Sequence, residues 1–195
     1  MKKNKHYKFL AIIGLTMGVL SGCGGTKSAA EIAINTKKLE AIKNDVASKS
    51  YSIEVHTAYP TQTYAVTQIT NALMRNTGNS ASRIDVTGNS IKVKGDTIQG
   101  ILPYIGEVRA GSPMSSRDVG IEFKGQPISY KVIDNNKRQT LDIEFQIKDK
   151  IERYDIIIQI YPDKSTTILV NCRYRTSIRY DGTFKVLPPE NHPSD

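Results

Sequence analysis

The sequence predicts a mostly β protein: an N-terminal helix followed by an antiparallel meander that forms a barrel-like or strongly curled sheet. Three observations carry this. From Tyr51 onward apolar residues recur every second position, as in Tyr51, Ile53 and Val55 or Leu141, Ile143, Phe145 and Ile147, the period of a half-buried strand. The runs are separated by short turn signals, which join antiparallel neighbours and leave no room for crossover helices. Ahead of Tyr51 the apolar spacing is helical instead. About eight to ten such strands with one wet face suit a barrel or a curled sheet, because closure removes unpaired strand edges.

The elements follow in order. Ser28-Ala29-Ala30-Glu31 has capping-box spacing, with the serine at the N-cap and the glutamate three residues on. A helix to about Lys49 follows, its apolar face built from Ile32, Leu39, Ile42 and Val46, and that face must pack on the sheet. Residues 51–56 open the first strand. Residues 61–80 are polar and weakly patterned and read as a partly ordered strand and loop. Thr-Gly-Asn-Ser occurs at 77–80 and again at 87–90, a repeat of turn chemistry too short to mark a repeat architecture. Ile91 and Val93 lead into the tight turn Lys94-Gly95-Asp96, then the strand Thr97–Pro103. Val119, Ile121 and Phe123 form another strand, ended by Lys124-Gly125-Gln126-Pro127, and residues 128–134 the next, closed by Asn135-Asn136. Thr140–Lys148 is the clearest strand, with Thr140, Asp142, Glu144 and Gln146 on its polar face, where Asp142 and Glu144 read as solvated. Tyr154, Ile156, Ile158 and Ile160 repeat the pattern and end at Tyr161-Pro162-Asp163-Lys164, a β-turn with proline second. Thr166, Ile168, Val170 and Cys172 make the next strand. Residues 177–186 make the last, bent at Asp181-Gly182.

The N-terminus has a different character. Lys2, Lys3, Lys5 and Lys8 precede an uncharged apolar run over residues 9–20, and Leu20-Ser21-Gly22-Cys23 closes it. This is a secretory leader ending in a bacterial lipobox. The apolar run is shorter than the roughly 20 residues a membrane-spanning helix needs. Lipoprotein signals of this kind imply cleavage before Cys23, a diacylglycerol thioether on its sulfur and acylation of its freed amine. Several acyl chains together hold a protein stably where one does not. The division expected is a signal peptide over 1–22, a lipidated tether over 23–27, a single β-rich domain with its N-terminal helix over 28–187, and a loose tail over 188–195. Gly24 and Gly25 follow the cysteine with no acidic run, which by resemblance to lipoprotein sorting rules points to the outer membrane, facing the periplasm.

The leader also colours the charge count. The chain has 27 basic and 19 acidic side chains, a formal charge of +8; with the four leader lysines removed, 173 residues remain with a charge of +4. The high isoelectric point is largely a property of the leader. No nucleic-acid partner is expected, since that function wants a concentrated basic stripe. One cluster survives: Arg173, Arg175 and Arg179, interleaved with Tyr174 and Tyr180. The three arginines share parity and would project from one strand face, either as a solvated outer surface or as a contact for an anionic ligand or headgroup. With Cys23 lipidated, Cys172 is the remaining thiol, and its parity with Ile168 and Val170 makes it a buried structural one.

Two stretches stand out together: Gly95-Asp96 followed by Leu102-Pro103-Tyr104-Ile105-Gly106, and Arg175-Thr176-Ser177-Ile178-Arg179-Tyr180-Asp181-Gly182. With the lipobox and the helix-then-β order, they give a chain that resembles a family of Bacteroides-type envelope lipoproteins carrying a domain of unknown function, over about residues 39–186. The resemblance implies a lipocalin-like antiparallel β fold and an envelope location. It implies no activity, and no catalytic residue is carried over from it. Physically, Pro103 suits a strand end, Gly106 re-aims the chain, and Tyr104 and Tyr180 can bury their rings while keeping their hydroxyls bonded. Tyr104, Arg175, Arg179 and Tyr180 are the candidate ligand or partner contacts. Asp96-Thr97-Ile98 resembles the short O-glycosylation sequon of such bacteria.

Catalytic signatures are missing. His56 lies on a predicted strand and His192 in the tail; no H-x-x-x-H, C-x-x-C or acidic calcium loop occurs, and no G-x-S-x-G elbow or phosphate-cradling glycine loop, so neither a metal nor a cofactor is expected. The expectation is a non-enzymatic envelope protein, attached to the membrane through acyl chains on Cys23, whose β domain is a binding or protein-interaction module, with an envelope protein or a small apolar ligand as its partner. The alternative is a lipocalin-like carrier of a small apolar ligand, and an enzyme with an unrecognised cleft is the third.

Overall fold

A computed structural model of the chain describes residues 28–75, 80, 82–112, 120–149 and 152–188. The expected leader, the tether with Cys23, the loop at 76–79, Val119, His192 and the tail beyond Pro188 lie outside the described residues. Among the described residues, those from Ala33 onward form one compact unit, and residues 28–32 fall outside it.

Helix α1 spans Ala29–Ala47. The Glu31 backbone N–H donates to the Ser28 hydroxyl at 3.2 Å, the cap its sequence called for. Only the second half of the helix is amphipathic in practice. Ile42 and Val46 are buried and Leu39 packs beside them, whereas Ile32 and Ile34 are 41% and 56% exposed, so the predicted apolar face loses its first member. Lys49, at φ 51°, ends the connection and hands the chain to β1 (Ser50–Pro60).

The expected loop after β1 contains a second helix, α2 (Tyr64–Leu73). Thr63 caps it, its hydroxyl accepting from the Val66 N–H at 3.2 Å. Val66 and Thr70, four residues apart, are its buried contacts, a spacing that puts both on one face. The correction is to period: two buried positions among β-branched residues make a weak helical signal.

The remaining elements are strands: β2 (Ile84–Lys94), β3 (Thr97–Pro103), β4 (Gly120–Gly125), β5 (Ser129–Asn135), β6 (Thr140–Lys148), β7 (Arg153–Ile160), β8 (Ser165–Cys172) and β9 (Ile178–Val186). The nine strands form one antiparallel sheet in the order β4-β3-β2-β1-β9-β8-β7-β6-β5, curled into a half-barrel. The residues facing inward are those the alternation selected. Ile53, Ile91, Ile143, Ile158, Ile168 and Val170 are wholly buried in one core, and each such side chain contributes about 1.5–3 kcal/mol. No described helix is long and apolar enough to cross a membrane.

Two details set the curl. In β1 the register shifts between Val55 and Thr57, which face Gly182 and Asp181 of β9, so His56 is the extra residue of a β-bulge. Bulges bend a strand and increase its twist. The inward set accordingly changes phase, from Ile53 and Val55 to Ala58 and Pro60. The bend expected at Asp181-Gly182 is therefore made mainly by the partner strand. On the other side of the sheet Gly100 faces Phe123 directly. A Cβ on Gly100 would lie 2.2 Å from Phe123 Cζ, so the ring fills the space the glycine leaves.

The strand count decides why the sheet stays open. Nine strands joined by eight antiparallel ladders alternate in direction, so the edge strands β4 and β5 run the same way. Pairing them would need a parallel ladder, and parallel neighbours require a crossover of about a dozen residues. Residues 126–128 alone connect them. The seam between β4 and β5 has no ladder for this reason, although the first and last strands do pair.

One surface assignment changes. Asp142 is 7% exposed and Thr140 2%. Asp142 accepts from the Thr140 hydroxyl at 2.7 Å and from Asn135 Nδ2 at 3.0 Å, so this end of the polar face is an internal hydrogen-bond group and not a solvated one.

Candidate functional site

The two sequence motifs meet at one end of the sheet. Past Pro103 the chain leaves β3, and between β8 and β9 it leaves the sheet again at residues 173–177. These two excursions pair. Val108 bridges Arg175, the Thr176 N–H donates to the Glu107 carbonyl at 3.0 Å, and the Arg109 N–H donates to the Tyr174 carbonyl at 2.8 Å. Gly106 is required here by space: a Cβ would lie 2.4 Å from the Tyr104 hydroxyl and 2.7 Å from Thr176 Oγ1.

Arg175 lies at the centre. Its guanidinium donates from Nε to Glu152 Oε2 at 2.9 Å, from Nη1 to the Gly120 carbonyl at 2.6 Å and from Nη2 to the Tyr154 hydroxyl at 2.9 Å. Its Cζ lies 4.7 Å from the centroid of the Tyr104 ring and 5.8 Å from that of Tyr154, within cation–π range. The second oxygen of Glu152 accepts from the Tyr174 N–H at 2.6 Å. The two charged side chains are 1% and 0% exposed. Burial opposes the Arg175 charge, but Tyr154 and Glu152 outweigh it and hold the guanidinium above its ordinary range.

The tyrosines close the group. Tyr180 is fully buried and its hydroxyl donates to the Pro103 carbonyl at 2.8 Å. The Tyr104 hydroxyl lies 2.8 Å from Thr176 Oγ1 and 3.0 Å from the Glu107 carbonyl. Burial pushes the Tyr104, Tyr154 and Tyr180 phenols upward, so all three are neutral donors at neutral pH.

Of the four candidate contacts, three are thus brought together and one is not. Tyr104, Arg175 and Tyr180 share this cluster, with their polar groups turned onto protein partners. Arg179 lies on the outer face of β9, its Cζ 4.0 Å from the centroid of the Tyr59 ring. The common face expected for the three arginines does not form. Arg173 and Arg179 are exposed and Arg175 is buried, because residues 173–177 leave the sheet and the strand parity that keeps even positions inward in both β8 and β9 does not govern them. Glu152 and Tyr154 were missed as partners, yet a signal existed: counting back by two from Ile160 through Ile156 places Tyr154 on the inward face of β7 and Glu152 at the same parity just ahead of it.

The remaining candidates are placed as follows. His56, at the bulge, lies with Nε2 3.1 Å from Thr183 Oγ1. Among the described residues no group of three His, Cys, Asp or Glu side chains is placed to hold a metal. Cys172 is free and 6% exposed; burial, and then the Glu152 charge, push its thiol up to about 12. At pH 8 the shift from 9.0 leaves about a thousandfold less thiolate than an unperturbed cysteine. Iodoacetamide is therefore expected to leave Cys172 unmodified in the folded protein and to modify it fully in guanidinium, read by peptide mass. Rapid modification of the native state would contradict the burial.

Residues 33–184, most of the 195-residue chain, match the family model for a domain of unknown function, DUF4251, and the chain belongs to that family. A search of curated proteins gives no match.

Proposed function

We propose that this DUF4251 protein is a lipid-anchored envelope protein whose β domain is a non-enzymatic binding module for another protein, held to the outer membrane on its periplasmic side by acyl chains on Cys23. The anchor rests on the leader sequence: four lysines, an apolar run and Leu20-Ser21-Gly22-Cys23. The binding reading rests on one observation. The inward face of the sheet is filled by its own side chains, with Ile143, Phe145, Ile156 and Ile158 all 3% exposed or less. A carrier in the lipocalin manner needs that space for its ligand, and the buried Arg175–Glu152 group already has protein partners. Recognition is then left to the outer surface.

Two measurements test this. Cys23→Ala is expected to move the protein from the membrane fraction to the soluble fraction nearly completely; a variant that still partitions fully with membranes would overturn the anchor. Envelope crosslinking is expected to capture one specific partner, lost on charge reversal of a single exposed face. A small apolar molecule retained through native mass spectrometry, with no protein partner, would favour the carrier instead.

A further inference from the structure

A cleft of about 230 Å³ lies where the turn between β2 and β3, the link after β4 and the start of β5 meet. Its apolar walls are Val93 and Ile98, both buried, and Pro127 of the link between the edge strands. Tyr130 lines it too, and its hydroxyl is fixed 2.7 Å from that of Tyr51. At the rim stand one cation and one anion, Lys49 and Asp96, with Nζ 2.5 Å from Oδ1. Their backbones are tied together, the Gly95 N–H donating to the Lys49 carbonyl at 2.9 Å, so the two charges are presented from fixed positions.

We propose that this cleft binds a small zwitterion with an apolar side group, of the size and chemistry of a free apolar α-amino acid. Three features of the cleft select that class. Its volume is below the roughly 300–1,000 Å³ of clefts that take drug-sized ligands. Val93, Ile98 and Pro127 give it an apolar wall for an aliphatic or aromatic group, beside the polar Gln126. Its rim carries equal and opposite charges, so a ligand carboxylate has Lys49 to meet and a ligand ammonium has Asp96. The side chains of Lys49 and Asp96 are 48% and 68% exposed, and an exposed pair is held together weakly. Exchanging that contact for two charge-assisted hydrogen bonds to the ligand therefore meets little resistance. A ligand with a single charge would engage one rim group and strip the other of its partner.

The inference goes beyond the protein-binding reading and stands apart from it, since it needs neither Cys23 nor a protein partner. The test is titration calorimetry on the detergent-solubilised full chain, with L-leucine and L-phenylalanine as probes. At least one is expected to bind saturably. The matching single-charge compounds, 4-methylpentanoic acid with 3-methylbutylamine for leucine and 3-phenylpropanoic acid with 2-phenylethylamine for phenylalanine, are expected to bind at least tenfold more weakly. Lys49→Gln and Asp96→Asn should each weaken binding at least tenfold while leaving the thermal midpoint near that of the parent. Absence of saturable binding by both amino acids up to about 10 mM would overturn the proposal. So would equal binding of a single-charge compound, or unchanged affinity in both variants.

Discussion

Replacing Arg175 with methionine is expected to cost about 3–5 kcal/mol of folding stability, the range for removing one member of a buried ion pair. The lost attraction is the smaller part. Glu152 is wholly buried, and without the guanidinium its Oε1 keeps the Tyr174 N–H while its Oε2 loses the Arg175 donor; the Gly120 carbonyl and the Tyr154 hydroxyl each lose a donor as well. A domain of this size has only about 5–15 kcal/mol to lose, so the variant is expected to be marginal at 37 °C. Guanidinium denaturation followed by circular dichroism measures it. The double variant Arg175→Met with Glu152→Leu separates the causes: if the cost is an uncompensated charge, the double variant is more stable than Arg175→Met alone. Equal stability of the two would show that packing around Tyr104 matters more than charge.

Gly182→Ala is expected to cost about 3 kcal/mol, at the upper end of ordinary overpacking, and to broaden or split the unfolding transition. A Cβ at this position would lie 2.3 Å from the Glu54 carbonyl oxygen. That neighbour is backbone in the ladder between β1 and β9, where the bulge brings the two strands close, so no side-chain rotation relieves it. Gly100→Ala is the informative comparison. Its Cβ would meet the Phe123 ring, a side chain that can shift, so adding Phe123→Leu should recover stability there, whereas no single side-chain truncation should rescue Gly182→Ala. A Gly182→Ala protein with the parent denaturation midpoint would mean that the β1–β9 contact is looser than its geometry.

Most of the sheet was legible because alternation and turn chemistry act locally. β3 and β6 have the bounds that their patterns gave, and the turn at Tyr161-Pro162-Asp163-Lys164 forms with the Lys164 N–H donating to the Tyr161 carbonyl at 2.9 Å. Curl without full closure needed more, since parity of strand number appears only when every strand is counted and β1 is known to pair with β9. α2 was hidden by its Thr, Ile and Val content, which suits a strand as well as a helix. Ile32 fits the helical face by spacing but lies ahead of the turns that reach the core. In the motif cluster, the tyrosines were readable as buried rings with bonded hydroxyls. Arg175 was not readable as buried, because parity carried forward from Cys172 is meaningless once the strand breaks at residue 173.

The pairing of first strand with last also bears on how the chain folds. Seven of the eight ladders join strands consecutive in sequence, and only β1 with β9 joins distant ones, Tyr51 facing Val186. Each run from β1 to β4 and from β5 to β9 can assemble from neighbours as hairpins do, in microseconds to milliseconds. Docking the two halves then waits on closing a loop of most of the domain, the slow, entropy-limited kind of step. Until the halves dock, both β1 and β9 present bare edges, the interval in which a chain of this topology is most exposed to mispairing with its own copies.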